Sequence, residues 1–362
     1  MSDPAHELLA WFRTRQRAVP GRREADPYRI WVAEVMAQQT RIQTVAPYYD
    51  SFLERFPDIA ALAASSLDDV LKAWEGLGYY GRARNLHRAA RELMRDYGGR
   101  LPEDPARLRA LPGIGPYTAG ALASIAFGRP EPAVDGNVRR VLSRLRDLEA
   151  PSPPVLDALA RSLIADADGE AGPLNQALMD LGSSVCTPRS PRCPDCPVSA
   201  SCLSLERGTV SLRPGRRPRR ELPHHDIGAA LVWRGSMLLI ARRPEDGLLG
   251  GLWEFPGGKV ETGESPAEAA RREVREELDV ETEILRPADT VRHAYSHFRI
   301  TLHLFHARWV SGGPPLAAGP ADSPRWVRPD ELVLYAFPAA NRAIIRRLSR
   351  AEEAPHRHRG QA

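Results

Sequence analysis

Leu111-Pro112-Gly113-Ile114-Gly115-Pro116-Tyr117-Thr118 decides the reading of the first half of this 362-residue chain. Two glycines bracketed by prolines form a turn. A short helix-like segment opened by Asp104-Pro105 precedes it, and another follows over 116–126. Gly113 and Gly115 let backbone amides approach an anion closely, and the turn stands at a helix N-terminus, so it suits a phosphate. Further on comes Ala133-Val134-Asp135-Gly136-Asn137-Val138-Arg139-Arg140, an aspartate just ahead of a helix. The ordinary reading of Asp135 is an N-cap. Next come all four cysteines of the chain, Cys186, Cys193, Cys196 and Cys202, spaced C-x6-C-x2-C-x5-C. Four thiolates this close can wrap one zinc ion or one iron–sulfur cubane, or pair as two disulfides. The opening residues, MSDPAHELLAWFRTR, are charged and lack the apolar segment of a secretory signal, which favours metal over disulfides.

Outward from this core, the first half keeps a helical grammar. Asp26-Pro27 starts a helix running to Gln39. Ser66 opens another, stopped by Gly76 and Gly78. Residues 82–97 form a third, ended by Gly98-Gly99. Further helices are expected over 136–146 and 173–181. One helix carries Arg82, Arg84, Arg88, Arg91 and Arg95, and six arginines lie between Arg207 and Arg220 among prolines and glycines. A net charge of +4 permits nucleic-acid binding without requiring it. From Asp226 the pattern changes. Residues 228–243 read as strand, turn at Arg234-Gly235, and strand; a helix is expected over 266–278, and strands over 291–295 and 298–309. No apolar run reaches the ~18–20 residues of a membrane span. The 43% hydrophobic content supports two or three domains with real cores.

Hairpin, aspartate and cysteine cluster, in this order, resemble the helix-hairpin-helix DNA glycosylases that carry a 4Fe–4S cluster. The resemblance covers nearly the whole N-terminal half and implies iron–sulfur rather than zinc. The implied architecture is an all-α glycosylase domain over 1–202, with the hairpin at about 104–126 and the iron–sulfur loop at 186–202. A basic linker over 203–225 and an α/β Nudix-like domain over 226–362 follow. Lyase-competent relatives place a Schiff-base lysine in the hairpin. Here that position is Tyr117, and the only lysines are Lys72 and Lys259, so a monofunctional enzyme is expected. Two further segments, Trp31-Val32-Ala33-Glu34-Val35-Met36-Ala37-Gln38-Gln39-Thr40 and Gly76-Leu77-Gly78-Tyr79-Tyr80-Gly81-Arg82-Ala83-Arg84-Asn85-Leu86, are similar to those of the adenine DNA glycosylases, the MutY family. One departure is Gly21, which stands where that family usually has tryptophan.

The resemblance implies roles. Glu34 is the general acid at adenine N7, against an ordinary reading as a solvent-facing helix glutamate. Asp135 stays ionised and stabilises the oxocarbenium ion; Asn137 and Tyr117 orient Asp135 and the sugar; Gln176 binds the flipped adenine. Gln39 and Tyr79 act as wedges, and Thr40 and Leu77 touch the opposite base. Gly113 and Gly115 hold phosphate. In the second domain Tyr295-Ser296-His297 reads 8-oxoguanine, with Tyr295 standing where the family has phenylalanine. The implied partner is duplex DNA with 8-oxoguanine:adenine or guanine:adenine mispairs, and the chain is expected to be a monomer in the cytoplasm, associated with the nucleoid.

A second motif is unexpected in that setting. Gly258 to Val280 fits the Nudix box, Gx5Ex7REUxEExGU, except that Asp279 replaces glycine. Glu273, Glu276 and Glu277 share one helix face and form a candidate magnesium site for opening a diphosphate bond in an oxidised nucleotide. Solvated glutamates on a structural helix are the plain alternative. A glycosylase–lyase for oxidised pyrimidines is a further alternative, disfavoured by Tyr117. A pyrophosphatase whose helical half only binds DNA, and a non-catalytic DNA-binding protein, are both disfavoured by the presence of Glu34 with Asp135.

Overall fold

The computed structural model describes residues 3–17, 19–22, 24–215, 221–245, 247–314 and 324–349. The arginines of the basic run at 216–220, and the expected second domain beyond 349, lie outside the described residues. The chain divides into two compact units. The first comprises residues 1–65 and 82–218, and the second 66–81 and 219–362.

The helices, in chain order, are α1 (Pro4–Arg15), α2 (Pro27–Ala37), α3 (Ile42–Arg55), α4 (Ile59–Ala64), α5 (Leu67–Ala73), α6 (Gly81–Asp96), α7 (Pro105–Ala110), α8 (Pro116–Ala121), α9 (Gly136–Leu145), α10 (Pro153–Ala165), α11 (Ala171–Ser184), α12 (Leu203–Glu206), α13 (Pro266–Leu278) and α14 (Arg342–Ser349). Of these, α5, α13 and α14 belong to the second unit. Local chemistry starts many of them. Asp3, Asp26 and Asp104 each precede a proline, and each carboxylate accepts the amide two residues on, so cap and fixed proline φ act together. Ser66 likewise accepts the Asp69 amide ahead of α5. In the first unit, apolar faces of α1, α9, α10 and α11 meet in one core that includes Leu8, Phe12, Leu142 and Leu178, with Cys186, Cys196 and Cys202 packed at its edge. Helix α2 is buried nearly all round, through Ile30, Trp31, Val32, Val35 and Met36.

The second unit is built on a mixed sheet of β1 (His224–Arg234), β2 (Met237–Arg242), β3 (Trp253–Glu254), β4 (Gly257–Lys259), β5 (Val280–Ala294), β6 (Arg299–Gly312) and β7 (Arg325–Val327). The order is β3-β2-β1-β6-β5, with β4 added to β1 and β7 to β2; β1 and β6 run parallel and the other pairs antiparallel. Strand β1 alternates between two cores. Ala229, Leu231 and Trp233 face Phe255, Phe337 and Ile344, while Ala230 and Val232 face Ala270 and Val274 of α13. A sheet covered on both faces needs a continuous apolar strand, and Gly228 to Trp233 supplies one.

Candidate active site

A cleft of about 410 Å³ in the first unit is lined by Glu34, Tyr117, Asp135 and Asn137, with Arg22, Thr40 and Met179 among its other walls. Each acidic group is held by a different local device. Glu34 projects from the buried helix α2, so the solvent-facing reading fails. Its Oε2 accepts a 2.7 Å hydrogen bond from the Tyr117 hydroxyl at the start of α8. Asp135 caps α9: Oδ1 accepts the Val138 amide at 2.7 Å and Oδ2 accepts the Asn137 amide group at 2.8 Å. The capping reading and the cleft reading of Asp135 therefore hold together. The Asn137 side chain thus contacts Asp135 directly. Tyr117 does not; its hydroxyl is taken by Glu34, with Met179 sulfur 3.7 Å away.

Burial dominates the electrostatics of both carboxyls. Burial pushes the Glu34 carboxyl above its ordinary range, outweighing the Tyr117 hydrogen bond and the Arg22 charge, and Asp135 adds to the rise. Burial also pushes Asp135 up. The amides of Val138 and Asn137, the Asn137 side chain and Arg140 oppose that rise by favouring the carboxylate. Burial and the two carboxylates push the Tyr117 phenol well up, so it remains a donor. Arg22 is itself held by Asp180 through two bonds of 2.5 and 3.0 Å, both side chains nearly buried. A small cavity of about 30 Å³ beside Glu34 is walled by Gly21, Arg22, Gln176 and Met179. Gly21 has φ +74°, and a Cβ there would meet Ala33 Cβ at 2.6 Å, so this turn admits no side chain without backbone movement.

A more open cleft of about 840 Å³ joins Gln39, Thr40, Gly113, Gly115, Asp135 and Arg140. Gly113 (φ +77°) packs against Asn85, and Gly115 caps α8 with open space where a side chain would stand. Thr118 beyond them accepts from Gln38 at 3.0 Å, tying the end of α2 to the hairpin. Gln39 holds a left-handed φ of 57° in the turn after α2. Arg82 secures that turn: its guanidinium donates to the carbonyls of Val35, Met36 and Gln38 and to Thr40 Oγ1, at 2.5 to 3.0 Å. The quoted motif contained Arg82, yet nothing local in the sequence marks it as a helix clamp. Leu77 and Tyr79 belong to the segment 66–81 of the second unit. Tyr79 is exposed with a left-handed φ of 48°, whereas Leu77 is buried, against the expectation that it presents itself to a base.

The four cysteines carry no disulfide and line one small cavity together with Arg144. Burial and the neighbouring cysteines push the Cys196 thiol up to about 11. Arg144, buried in α9, donates to the Cys186 sulfur and to the carbonyls of Thr187 and Pro188. Arg140, one turn earlier, donates to the Cys186 carbonyl at 2.7 Å and to Asn137 Oδ1 at 2.9 Å. Cysteine loop and Asp135 are thus joined by two intervening side chains, Arg140 and Asn137.

In the second unit, β5 and β6 form a hairpin whose tip is Tyr295-Ser296-His297-Phe298. The Tyr295 amide donates to the Phe298 carbonyl at 2.9 Å and the two rings stack at 4.7 Å, which leaves Ser296 and His297 exposed. The carboxylates of the Nudix-like motif do not assemble as expected. Glu273 and Glu277 reach the wall of a cavity, but Glu276 stands off it. Arg272 binds Glu264, Glu273 and Glu276 at 2.7 to 3.1 Å, so two of the three expected ligands are already paired. Among the described residues no group of three or more His, Cys, Asp or Glu side chains forms a site for a single metal ion, and the magnesium expectation does not fit this arrangement. No helix among them is long and apolar enough to cross a membrane.

Two family models match the chain. One, the HhH-GPD superfamily of base excision DNA repair proteins, covers residues 32–165, and a NUDIX domain covers 228–347. Adenine DNA glycosylase from Homo sapiens is 33% identical over 94% of this chain and 72% of its own length. The enzyme of the same description from Arabidopsis thaliana is 36% identical over 73% of this chain and 48% of the plant protein. Among solved structures, a thermostable thymine-DNA glycosylase superposes with TM-score 0.53 at 30% identity, covering 56% of this chain and 95% of that one. A trapped endonuclease III–DNA covalent intermediate gives TM-score 0.50 at 25% identity over 56% of this chain and 94% of that one.

Proposed function

The chain belongs to the adenine DNA glycosylases, and we propose that it removes adenine mispaired with 8-oxoguanine or guanine from duplex DNA, hydrolysing the N-glycosyl bond without cutting the strand. The observation that carries the site assignment is the pair of carboxyls on one cleft, both raised by burial, of which Asp135 alone also accepts hydrogen bonds from Val138 and Asn137 that favour its charged form. Adenine leaves deoxyribose poorly unless its ring is protonated. Glu34, kept protonated toward neutral pH, gives its proton to N7 as the C1′–N9 bond breaks. Tyr117 occupies one Glu34 oxygen and leaves the other for this transfer. The carboxylate of Asp135 faces the positive charge that develops on the sugar, with no reorganisation needed. Water then adds to C1′, and the Glu34 carboxylate takes its proton, which restores the starting state.

The target base leaves the stack to reach this cleft, at a cost of a few kcal/mol. Gln39, in a left-handed turn, fills the vacated space, and Thr40 touches the opposite base; Tyr79, also in a left-handed turn, is a second candidate wedge. The amides of Gly113 and Gly115 hold the backbone phosphate beside the lesion, Gln176 contacts the adenine, and residues 1–202 perform the excision. Residues 226–362 read the opposite strand through Tyr295, Ser296 and His297. The four cysteines suit a 4Fe–4S cluster: each could supply one thiolate, and all four line one cavity. Such a cluster supplies structural cross-linking, holding the loop that carries Arg189 and Arg192 and, through Arg140, the position of Asn137.

Single-turnover base release on an 8-oxoguanine:adenine duplex tests the assignment. Glu34→Gln and Asp135→Asn each lower the rate by at least ~100-fold while duplex affinity stays within a few-fold. A near-normal rate in either variant sinks it.

A further inference from the structure

The turn that closes α2 is held from two sides. On one side stands the Arg82 guanidinium, from the first turn of α6. Its Nη1 donates to the Val35, Met36 and Gln38 carbonyls at 2.9, 2.8 and 2.5 Å, and its Nη2 donates to Thr40 Oγ1 at 3.0 Å. The last carbonyls of a helix have no partner within it, and a cation there also meets the negative end of the helix dipole. On the other side the Gln38 side chain donates to Thr118 Oγ1 at 3.0 Å, and Thr118 is buried. Gln38 and Thr40 are therefore both anchored. Gln39 between them is exposed and takes a φ of 57°, the left-handed conformation that a residue with a Cβ rarely adopts. A disfavoured backbone persists only where its surroundings fix it. Here those surroundings are Arg82 and Thr118.

We propose that Arg82 is a positioning residue for base extrusion. Its two-pronged guanidinium fixes the turn 38–40 before DNA arrives, so Gln39 needs no ordering at the moment the base leaves the stack. The inference rests on the wedge role proposed for Gln39. It also adds a second link. The same guanidinium bonds the Val35 carbonyl, next in the chain to Glu34, so wedge and general acid keep a fixed spacing at one helix end. Arg82 acts here through geometry rather than through its charge on the acid. Among the described residues the charges that shift Glu34 are those of Arg22 and Asp135. The same geometry suits arginine better than lysine. An ammonium at the Nη1 position keeps the carbonyl contacts but has no second prong for Thr40.

The test uses full-length protein at saturating concentration on an 8-oxoguanine:adenine duplex. A 2′-fluorine on the target nucleotide destabilises the developing sugar cation and blocks cleavage. A 2-aminopurine on its 5′ side brightens when the adenine leaves the stack. Arg82→Gln is expected to lower this fluorescence gain by at least ~3-fold, and single-turnover release of unmodified adenine by at least ~10-fold. The alkaline limb of its pH–rate profile stays in place, because Glu34 keeps its surroundings; a substitution that merely loosened α2 would move it. Arg82→Lys lowers the gain by about 2-fold, and it decides alone if the glutamine variant melts early. Gln39→Ala on the same duplex separates this inference from the wedge reading. A lowered gain in Gln39→Ala beside an unchanged gain in either folded Arg82 variant overturns the role of Arg82 alone. An unchanged gain in Gln39→Ala overturns the wedge reading and this inference with it. A displaced pH limb in a folded Arg82 variant also overturns it, since Arg82 then supports the helix as a whole rather than its closing turn.

Discussion

Among the described residues Arg22 is the one cation that shifts Glu34, and it acts from its ion pair with Asp180. Its charge lowers the Glu34 pKa while burial raises it, so the two together set where the acid loses its proton. Removing Arg22 alone leaves Asp180 buried and unpaired, a change that costs about 3–5 kcal/mol. Replacing the pair, Arg22→Gln with Asp180→Asn, removes the opposing charge without that penalty. The sign follows directly. As the proposed general acid Glu34 acts protonated, so the rate falls as pH rises through its pKa; without Arg22 that pKa moves up, and the alkaline limb of the single-turnover profile is expected to move to higher pH. A limb that stays in place, or moves toward acid, removes Arg22 from this role. Individual residues were unevenly legible. Asp135 stood in a local pattern, aspartate before a helix, and Glu34 in a quoted motif. The Arg22–Asp180 pair spans 158 positions, and its effect arises only when both are buried beside Glu34. Likewise nothing in the spacing of Tyr117 indicated that Glu34, rather than Asp135, would take its hydroxyl.

At the scale of elements, start signals were clear and partners were not. The Asp-Pro and Ser caps of α2, α5 and α7 are complete within a few residues, so they could be read directly. Helices α3 and α10 carry weaker local signals. Proline lies inside α3, and α10 has no side-chain cap bond at Ser152. Helix α13 is legible in the sequence because its Ser265–Glu268 capping box is local, and the single departure from its motif lies at its other end. Asp279 closes α13 with φ 52°, a left-handed conformation that suits glycine and costs an aspartate roughly 1 kcal/mol. Asp279→Gly relieves this, partly offset by the greater freedom of glycine in the unfolded chain. The variant is expected to gain about 0.5 kcal/mol, seen as a later denaturant midpoint in the transition that reports the second unit. A loss of stability instead means that the aspartate side chain contributes more at this cap than the strain removes.

At the scale of the molecule, sequence order and compact units differ, since residues 66–81 pack with the C-terminal residues rather than with their helical neighbours. Within the second unit Asp68 pairs with Arg242, and Lys72 donates to the Tyr335 carbonyl. Such contacts join residues far apart in sequence, so a reading based on periodicity assigns the segment to the surrounding helices by default. The chemistry keeps a simpler division. Both carboxyls and the Gly113–Gly115 turn, proposed above to hold phosphate, lie in the first unit, while Ser296 and His297 lie at an exposed hairpin tip of the second. If that tip discriminates 8-oxoguanine from guanine, removing its polar atoms changes preference without changing the excision machinery. Ser296→Ala with His297→Ala is therefore expected to weaken binding to 8-oxoguanine:adenine duplex by about 10-fold or more, the loss of hydrogen bonds to one base. Affinity for guanine:adenine duplex, and the single-turnover rate on it at saturating enzyme, stay within about two-fold, since neither Glu34 nor Asp135 has been touched. Competition binding with both duplexes measures the first quantity, and base release the second. Undiminished discrimination removes the tip from lesion reading, and a rate that falls equally on both duplexes means that the loop supports catalysis rather than choice.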